Sequence, residues 1–280
     1  MLQDPVVQAL LLGILQGLTE FLPISSSGHL LLLPWLLGWK PMGLAFDVML
    51  HVGTLAAVLV YFRRDWMRLA ARLLGRTAEA SAPGRAREYT PTWGQIIAAS
   101  LPAALAGAFL KDFIEQALRG PEVVVFNLIF FGLLLGLADL KGSQERGGEA
   151  LGLRAALLIG LAQALALAPG VSRSGITITA ALLLGFRRWD AARFSFIIAT
   201  PLIAGAATLQ SYELLSSAQG SIAFGVLAAG MTAAALSGWL CIKYFLRYLQ
   251  SASLMPFVLY RLALGALALI LLLTVPGLSG

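Results

Sequence analysis

The chain has a single cysteine, two histidines and only 12% charged residues in a length of 280. One cysteine, Cys241, excludes an internal disulfide and a cysteine-rich metal site. An ordinary soluble domain carries about 25% charged residues, so the scarcity here excludes water as the solvent for most of the surface. The alternation of apolar and polar residues expected of transmembrane barrel strands is missing as well. Met1 to Leu12 has no basic stretch and no small-residue cleavage site, so no secretory leader is set aside from the fold.

What is abundant is apolar: 59% of residues are hydrophobic and the mean hydropathy is +0.83. Apolar runs recur near Leu44 to Tyr61, Thr92 to Leu110, Val123 to Leu140, Ala192 to Gln210, Ile222 to Cys241 and Phe257 to Val275. A helix crossing a hydrocarbon core roughly 30 Å thick needs about 20 residues at 1.5 Å each. A soluble core supplies one or two such runs, not six. The expected fold is an all-α integral membrane protein forming one membrane domain over residues 1–280. Tryptophans Trp35, Trp39, Trp66, Trp93, Trp189 and Trp239 are expected at helix ends, as an interfacial belt. Glycines Gly205, Gly225, Gly230 and Gly238 are expected where long helices pack closely.

Two segments interrupt this pattern with Pro, Gly and Ser: GILQGLTEFLPISSSGHLLLLPWLLG from Gly13 to Gly38, and GLAQALALAPGVSRSGITITAALLLG from Gly160 to Gly185. A fixed offset of 147 residues aligns Gly13 with Gly160, Gln16 with Gln163, Ser25 with Ser172, Ser27 with Ser174 and Gly28 with Gly175. The match suggests an internal duplication, with repeat 1 over residues 1–140 and repeat 2 over 150–280. Each segment reads as two arms of about ten residues around a Ser/Gly turn, too short to span separately, so each is expected to be a re-entrant helical hairpin. Three transmembrane helices follow each hairpin.

Loop charge orients the chain. Residues Arg63 to Glu88 contain Arg63, Arg64, Arg68, Arg72, Arg76, Arg85 and Arg87 against Asp65, Glu79 and Glu88, which makes this loop cytoplasmic. Counting crossings then places Lys141 to Glu149, Arg187, Arg188, Arg193, Lys243 and Arg247 inside. The first hairpin's mouth, the stretch around Glu213 and both termini fall outside. The two repeats are thereby inverted. Making both hairpins full crossings would instead separate the loop at 187–193 from that at 63–90, against their shared basic character. The net charge of +6 fits this bias, and no nucleic-acid partner is expected.

Ionisable groups at membrane depth are costly and point to function. They concentrate in the broken segments: Glu20, His29 and Arg173, with hydroxyls at Thr19, Ser25, Ser26, Ser27, Ser172, Ser174 and Thr177. Arg173 presents a fork that matches phosphate oxygens, helped by hydroxyls and helix-start N–H groups. The competing reading has it bonding hairpin carbonyls or pairing with Glu20. His29 suits a general acid or base, and Ser26, three residues before it, is the candidate serine nucleophile. Gln16 and Glu20, one turn apart, are candidate cation ligands. His51, one turn after Asp47, forms with it either a supporting couple or a metal foothold, against the alternative of a purely structural role. Glu20 aligns with Leu167 and His29 with Ile176, so one composite site is expected instead of two copies.

QGLTEFLPISSSGH (Gln16 to His29) and PGVSRSGIT (Pro169 to Thr177), with the stretch Ala45 to Gly53, resemble the bacterial undecaprenyl-diphosphate phosphatase family associated with bacitracin resistance. The resemblance implies hydrolysis of undecaprenyl diphosphate to undecaprenyl phosphate and inorganic phosphate, recycling the carrier for peptidoglycan. It implies a polyprenyl diphosphate lipid partner among membrane lipids, a divalent cation (Mg²⁺ or Ca²⁺), and a site open to the outer face of the cytoplasmic membrane. The family's acidic pair falls on Gln16 and Glu20, its serine and histidine on Ser26 and His29, and its phosphate-binding arginine on Arg173. Ser27 stands where the family commonly has threonine.

On this reading Arg173 holds the diphosphate beside Ser25, Ser27, Ser172, Ser174 and Thr177, a cation near Glu20 offsets charge, and His29 activates Ser26 for in-line attack. Water or His29 as the attacking group uses the same residues. The sequence leaves open whether the chain forms a homodimer. The main competitor is a secondary transporter or flippase with inverted repeats and an anion site at membrane depth.

Overall fold

The computed structural model describes residues 3–40, 42–75, 89–110, 113–114, 117–118, 120–216 and 223–274. Among them the fold is all α, without a β-sheet. The sequence-predicted positions at Arg76, Glu79, Arg85, Arg87, Glu88 and both chain ends lie outside the described residues, as do the side chains of Trp35 and Glu213.

Helix α1 (Pro5–Phe21) starts where Asp4 accepts backbone N–H bonds from Val6 at 2.8 Å and Val7 at 3.3 Å, with Pro5 supplying a preset first turn. This start makes the first arm 17 residues long instead of about ten, because the apolar run ahead of Gly13 joins it. After the break at Leu22 and Pro23, α2 (Ser26–Leu36) forms the return arm. The second broken segment gives α7 (Leu153–Ala164), a 3-10 turn over Leu165–Leu167, and α8 (Arg173–Leu183).

The remaining helices are α3 (Leu44–Tyr61), α4 (Arg63–Leu73), α5 (Trp93–Phe109), α6 (Pro121–Lys141), α9 (Arg188–Ser216), α10 (Phe224–Tyr248) and α11 (Met255–Thr274). Within the described residues each sequence-predicted apolar run falls mainly on one of them, although α9 extends past the expected ends to include Arg188, and α10 to include Lys243 and Arg247. Four described helices are long and apolar enough to cross a membrane, and a fifth span is formed if α3 and α4, bent by 73° at Phe62, count together. The protein is an all-α integral membrane protein with several crossings.

Close contacts knit the two halves. α1 packs along α10, and α7 packs along α5. Gly13 lies against Gly230 so tightly that a Cβ would overlap the Gly230 carbonyl, and a Cβ on Gly160 would come within 2.6 Å of the Ala99 carbonyl. Gly230 and Gly238 are packed against Phe46 and Phe21, as expected, whereas Gly205 and Gly225 face open space.

The basic loops meet at one end of the bundle. Arg193 pairs with Asp65 at 2.7 Å and Arg188 with Asp139 at 2.5 Å. The second Asp139 oxygen accepts from Leu254 N at 3.0 Å. Arg146 N donates to Gly185 O and Arg187 N to Arg146 O, both at 3.0 Å, so the chain leaves the second broken segment beside the point where it entered. The first segment's ends lie elsewhere: Trp39 is buried with Ala9, Leu12 and Val226, near the start of α10. Trp39 is therefore a packing residue, not the interfacial one expected of it.

Candidate active site

The tips of the two broken segments face each other. Ser25 and Ser172, 147 positions apart, both adopt left-handed backbone conformations, with φ of 74° and 70°. Such values are uncommon outside glycine and asparagine; here each aims the next helix start, at Ser26 and at Arg173, toward the opposite tip. Ser174 Oγ crosses the gap to donate to Leu22 O at 2.9 Å.

Glu20, at the end of α1, is the hub. Its Oε1 accepts from Arg173 Nη2 at 2.7 Å. Its Oε2 accepts from Ser26 Oγ at 2.8 Å and Gln16 Nε2 at 3.1 Å, with His51 Nε2 at 4.0 Å. A buried carboxylate is tolerable only when paired and hydrogen-bonded in this way. The structure thus brings Gln16, Glu20, Ser26 and Arg173 together, and adds His51, whose Nδ1 faces the Asp47 carbonyl oxygen at 2.8 Å, not its carboxylate.

His29 bonds groups other than the Ser26 hydroxyl. Its Nδ1 lies 2.7 Å from the Ser25 carbonyl one turn earlier, which rotates Nε2 toward α11, where it meets Tyr260 Oη at 2.6 Å. Glu20, not His29, is the base in contact with the Ser26 hydroxyl. The other hydroxyls expected to bind substrate mainly build the turns: Ser25 and Ser27 bond each other at 3.3 Å, Ser172 accepts from Gly175 N at 3.2 Å, and Thr177 bonds Ser195 Oγ at 2.6 Å. Arg173 reaches Ser195 O at 3.3 Å, and its side chain is 15% exposed.

The carbonyl-bonding arginine considered for position 173 exists, but it is Arg261. Its side chain is fully buried and donates to Val171 O at 2.9 Å, Gly170 O at 2.9 Å, Pro23 O at 3.4 Å, Asn127 O at 3.1 Å and Leu128 O at 3.2 Å. Both broken turns are held by one guanidinium, so carbonyls freed by the breaks find donors away from water.

The description "Bacitracin resistance protein BacA" belongs to a family that matches residues 9–267 of this chain. The chain belongs to that family. A protein of Rubrobacter xylanophilus named undecaprenyl-diphosphatase is 50% identical over 273 residues, covering 96% of this chain and 98% of its own. One of Geobacter sulfurreducens with the same name is 51% identical over 265 residues, 94% of this chain and 97% of its own. A third so named, of Chromohalobacter salexigens, is 49% identical over 259 residues, 92% and 96% of the two chains.

For this member of the BacA family the cation-binding expectation has one structural observation in its favour. Gln16 Oε1 is buried without a hydrogen-bond partner, while Nε2 of the same amide donates to the Glu20 carboxylate. A neutral amide oxygen beside a carboxylate is a donor set for a hard cation. Among the described residues no three His, Cys, Asp or Glu side chains cluster as a metal site. Sequence reasoning missed Tyr260 and Arg261. An arginine inside the apolar run of α11 was the available signal, since such a charge needs a partner at membrane depth.

Proposed function

We propose that this chain hydrolyses undecaprenyl diphosphate to undecaprenyl phosphate and inorganic phosphate, returning the lipid carrier to envelope-polymer synthesis. Membership of the BacA family and the names of its relatives support the substrate. The single structural observation that carries the chemistry is the Glu20 hub, which places a hydroxyl with a proton acceptor beside a phosphate-matching guanidinium.

Arg173 grips the diphosphate through its fork, turning from Glu20 toward the more negative ligand. Ser26 Oγ attacks the terminal phosphorus; its proton passes to Glu20, the bond to the bridging oxygen breaks, and undecaprenyl phosphate leaves. Water then attacks the phosphoserine. Helix-start N–H groups at Ser26 and Arg173 would stabilise the developing charge, and positioning supplies most of the acceleration. A divalent cation held by Glu20 and Gln16 Oε1 would neutralise phosphate charge.

The same reading makes the two halves inverted repeats, with the polar pocket open to the outer face of the cytoplasmic membrane and both termini outside. Three contacts support it. Asp65–Arg193 and Asp139–Arg188 gather the basic loops on one end, taken as cytoplasmic, and Trp39 with Ala9 closes the first hairpin near the opposite end of α10.

The test is inorganic phosphate release from undecaprenyl diphosphate by purified protein in defined detergent with Mg²⁺ or Ca²⁺, beside Arg173→Ala and Ser26→Ala. Turnover by the wild type that both folded variants lack is expected. No turnover by folded wild type with either cation would sink the reading and direct attention to lipid flux in proteoliposomes.

A further inference from the structure

The mechanism leaves the attacking water without a base, and leaves the contact between His29 and Tyr260 without a task. We propose that Tyr260 and His29 form a proton relay that activates this water, with Tyr260 as the member that touches it. The proposal rests on the phosphatase reading above.

The direction of the hydrogen bonds follows from the partners. A backbone carbonyl only accepts, so the His29 nitrogen 2.7 Å from Ser25 O, Nδ1, carries the proton. In the neutral ring the lone pair is then on Nε2, and the Tyr260 hydroxyl at 2.6 Å donates to it. The basic nitrogen is covered by this hydroxyl. His29 is 7% exposed and Tyr260 45% exposed, so the phenol is the more accessible member of the pair. Ser26 lies three residues before His29 on α2, within one helical turn, which brings the relay to the side of a phosphoserine there.

The step balances without any further reactant. The water oxygen bonds to phosphorus and the bond from phosphorus to Ser26 Oγ breaks. One water proton passes to the Tyr260 oxygen as the Tyr260 proton passes to His29 Nε2; Ser26 Oγ recovers its proton from Glu20. Inorganic phosphate leaves, and His29 returns its proton to solvent through the same phenol. Tyr260 is unchanged at the end.

Tyr260→Phe tests this with little disturbance, because the ring that stacks on His29 at 5.5 Å and 7° remains. Loss of a proton-transfer partner should lower kcat by about a hundredfold. Because only dephosphorylation slows, KM should fall with kcat, leaving kcat/KM within about threefold of wild type, and one equivalent of undecaprenyl phosphate should appear in a burst. A purely structural tyrosine would lower kcat/KM instead. Independently, ¹⁵N-labelled histidine gives only two side chains to resolve, and Tyr260→Phe should shift the His29 Nε2 resonance as it loses its donor. An unchanged kcat, a fall in kcat/KM without the burst, or an unmoved Nε2 signal would each overturn the relay while leaving wild-type hydrolysis intact. Folded wild type with no turnover would overturn the hydrolase reading and the relay with it.

Discussion

Arg173 and Glu20, separated by 153 residues, meet at 2.7 Å through the tips of two broken segments. The pair is a contact between halves of the chain and, in the proposed reaction, a contact that the substrate displaces. Its two roles separate experimentally. Arg173→Lys keeps the charge without the fork and should lower kcat/KM by about 10- to 100-fold. Arg173→Ala should cost about a thousandfold, as loss of a transition-state donor does. Phosphate release read beside thermal unfolding tells the roles apart: Lys should unfold near the wild-type temperature, whereas Ala leaves the buried Glu20 carboxylate unpaired and should unfold earlier.

Arg261 has the opposite balance. It touches carbonyls only, at Val171, Gly170, Pro23, Asn127 and Leu128, and is wholly buried. Arg261→Met fills similar volume but leaves these acceptors without their donor, which should destabilise the fold by roughly 3 kcal/mol or more. Thermal unfolding followed by tryptophan fluorescence in detergent measures the loss. Arg261→Lys, with three donors on a flexible stem, should recover part of it. A variant as stable as wild type would remove Arg261 from the scaffold of the turns.

The broken segments were legible because their signals are local. Pro23, the Pro169–Gly170 pair and the Ser/Gly runs interrupt apolar sequence at a fixed offset, and the left-handed Ser25 and Ser172 are where those interruptions turn the chain. The meeting of Glu20 with Arg173 was legible as one option, since each is an ionisable group stranded at membrane depth. The partner of Ser26 was not. Which of two neighbouring bases a serine faces depends on side-chain rotation, and His29 turns away because the Ser25 carbonyl captures Nδ1 one turn back. Tyr260 and Arg261 were hidden for another reason: α11 is apolar on most sides, and only its packing against α6 and the turns reveals what the polar pair serves.

Glycine in this fold has two meanings that substitution distinguishes. Gly13 and Gly160 hold equivalent places in the two broken segments, each pressed on a backbone carbonyl of another helix, Gly230 and Ala99 respectively. Adding a methyl at either forces two helices apart, and small-to-large changes in packed interiors cost typically 1–3 kcal/mol, about the same range expected for Gly13→Ala and Gly160→Ala. Gly205 lies in the body of α9, where a Cβ would have nothing within 4 Å of it. There the methyl meets no obstacle and restricts the unfolded chain, so Gly205→Ala should stabilise by about 0.5–1 kcal/mol. Thermal unfolding of the three single variants in one detergent measures the contrast. Equal losses at all three positions would mean that helix distance is not what these glycines set, and the close pairing of α1 with α10 and of α7 with α5 would then need another cause.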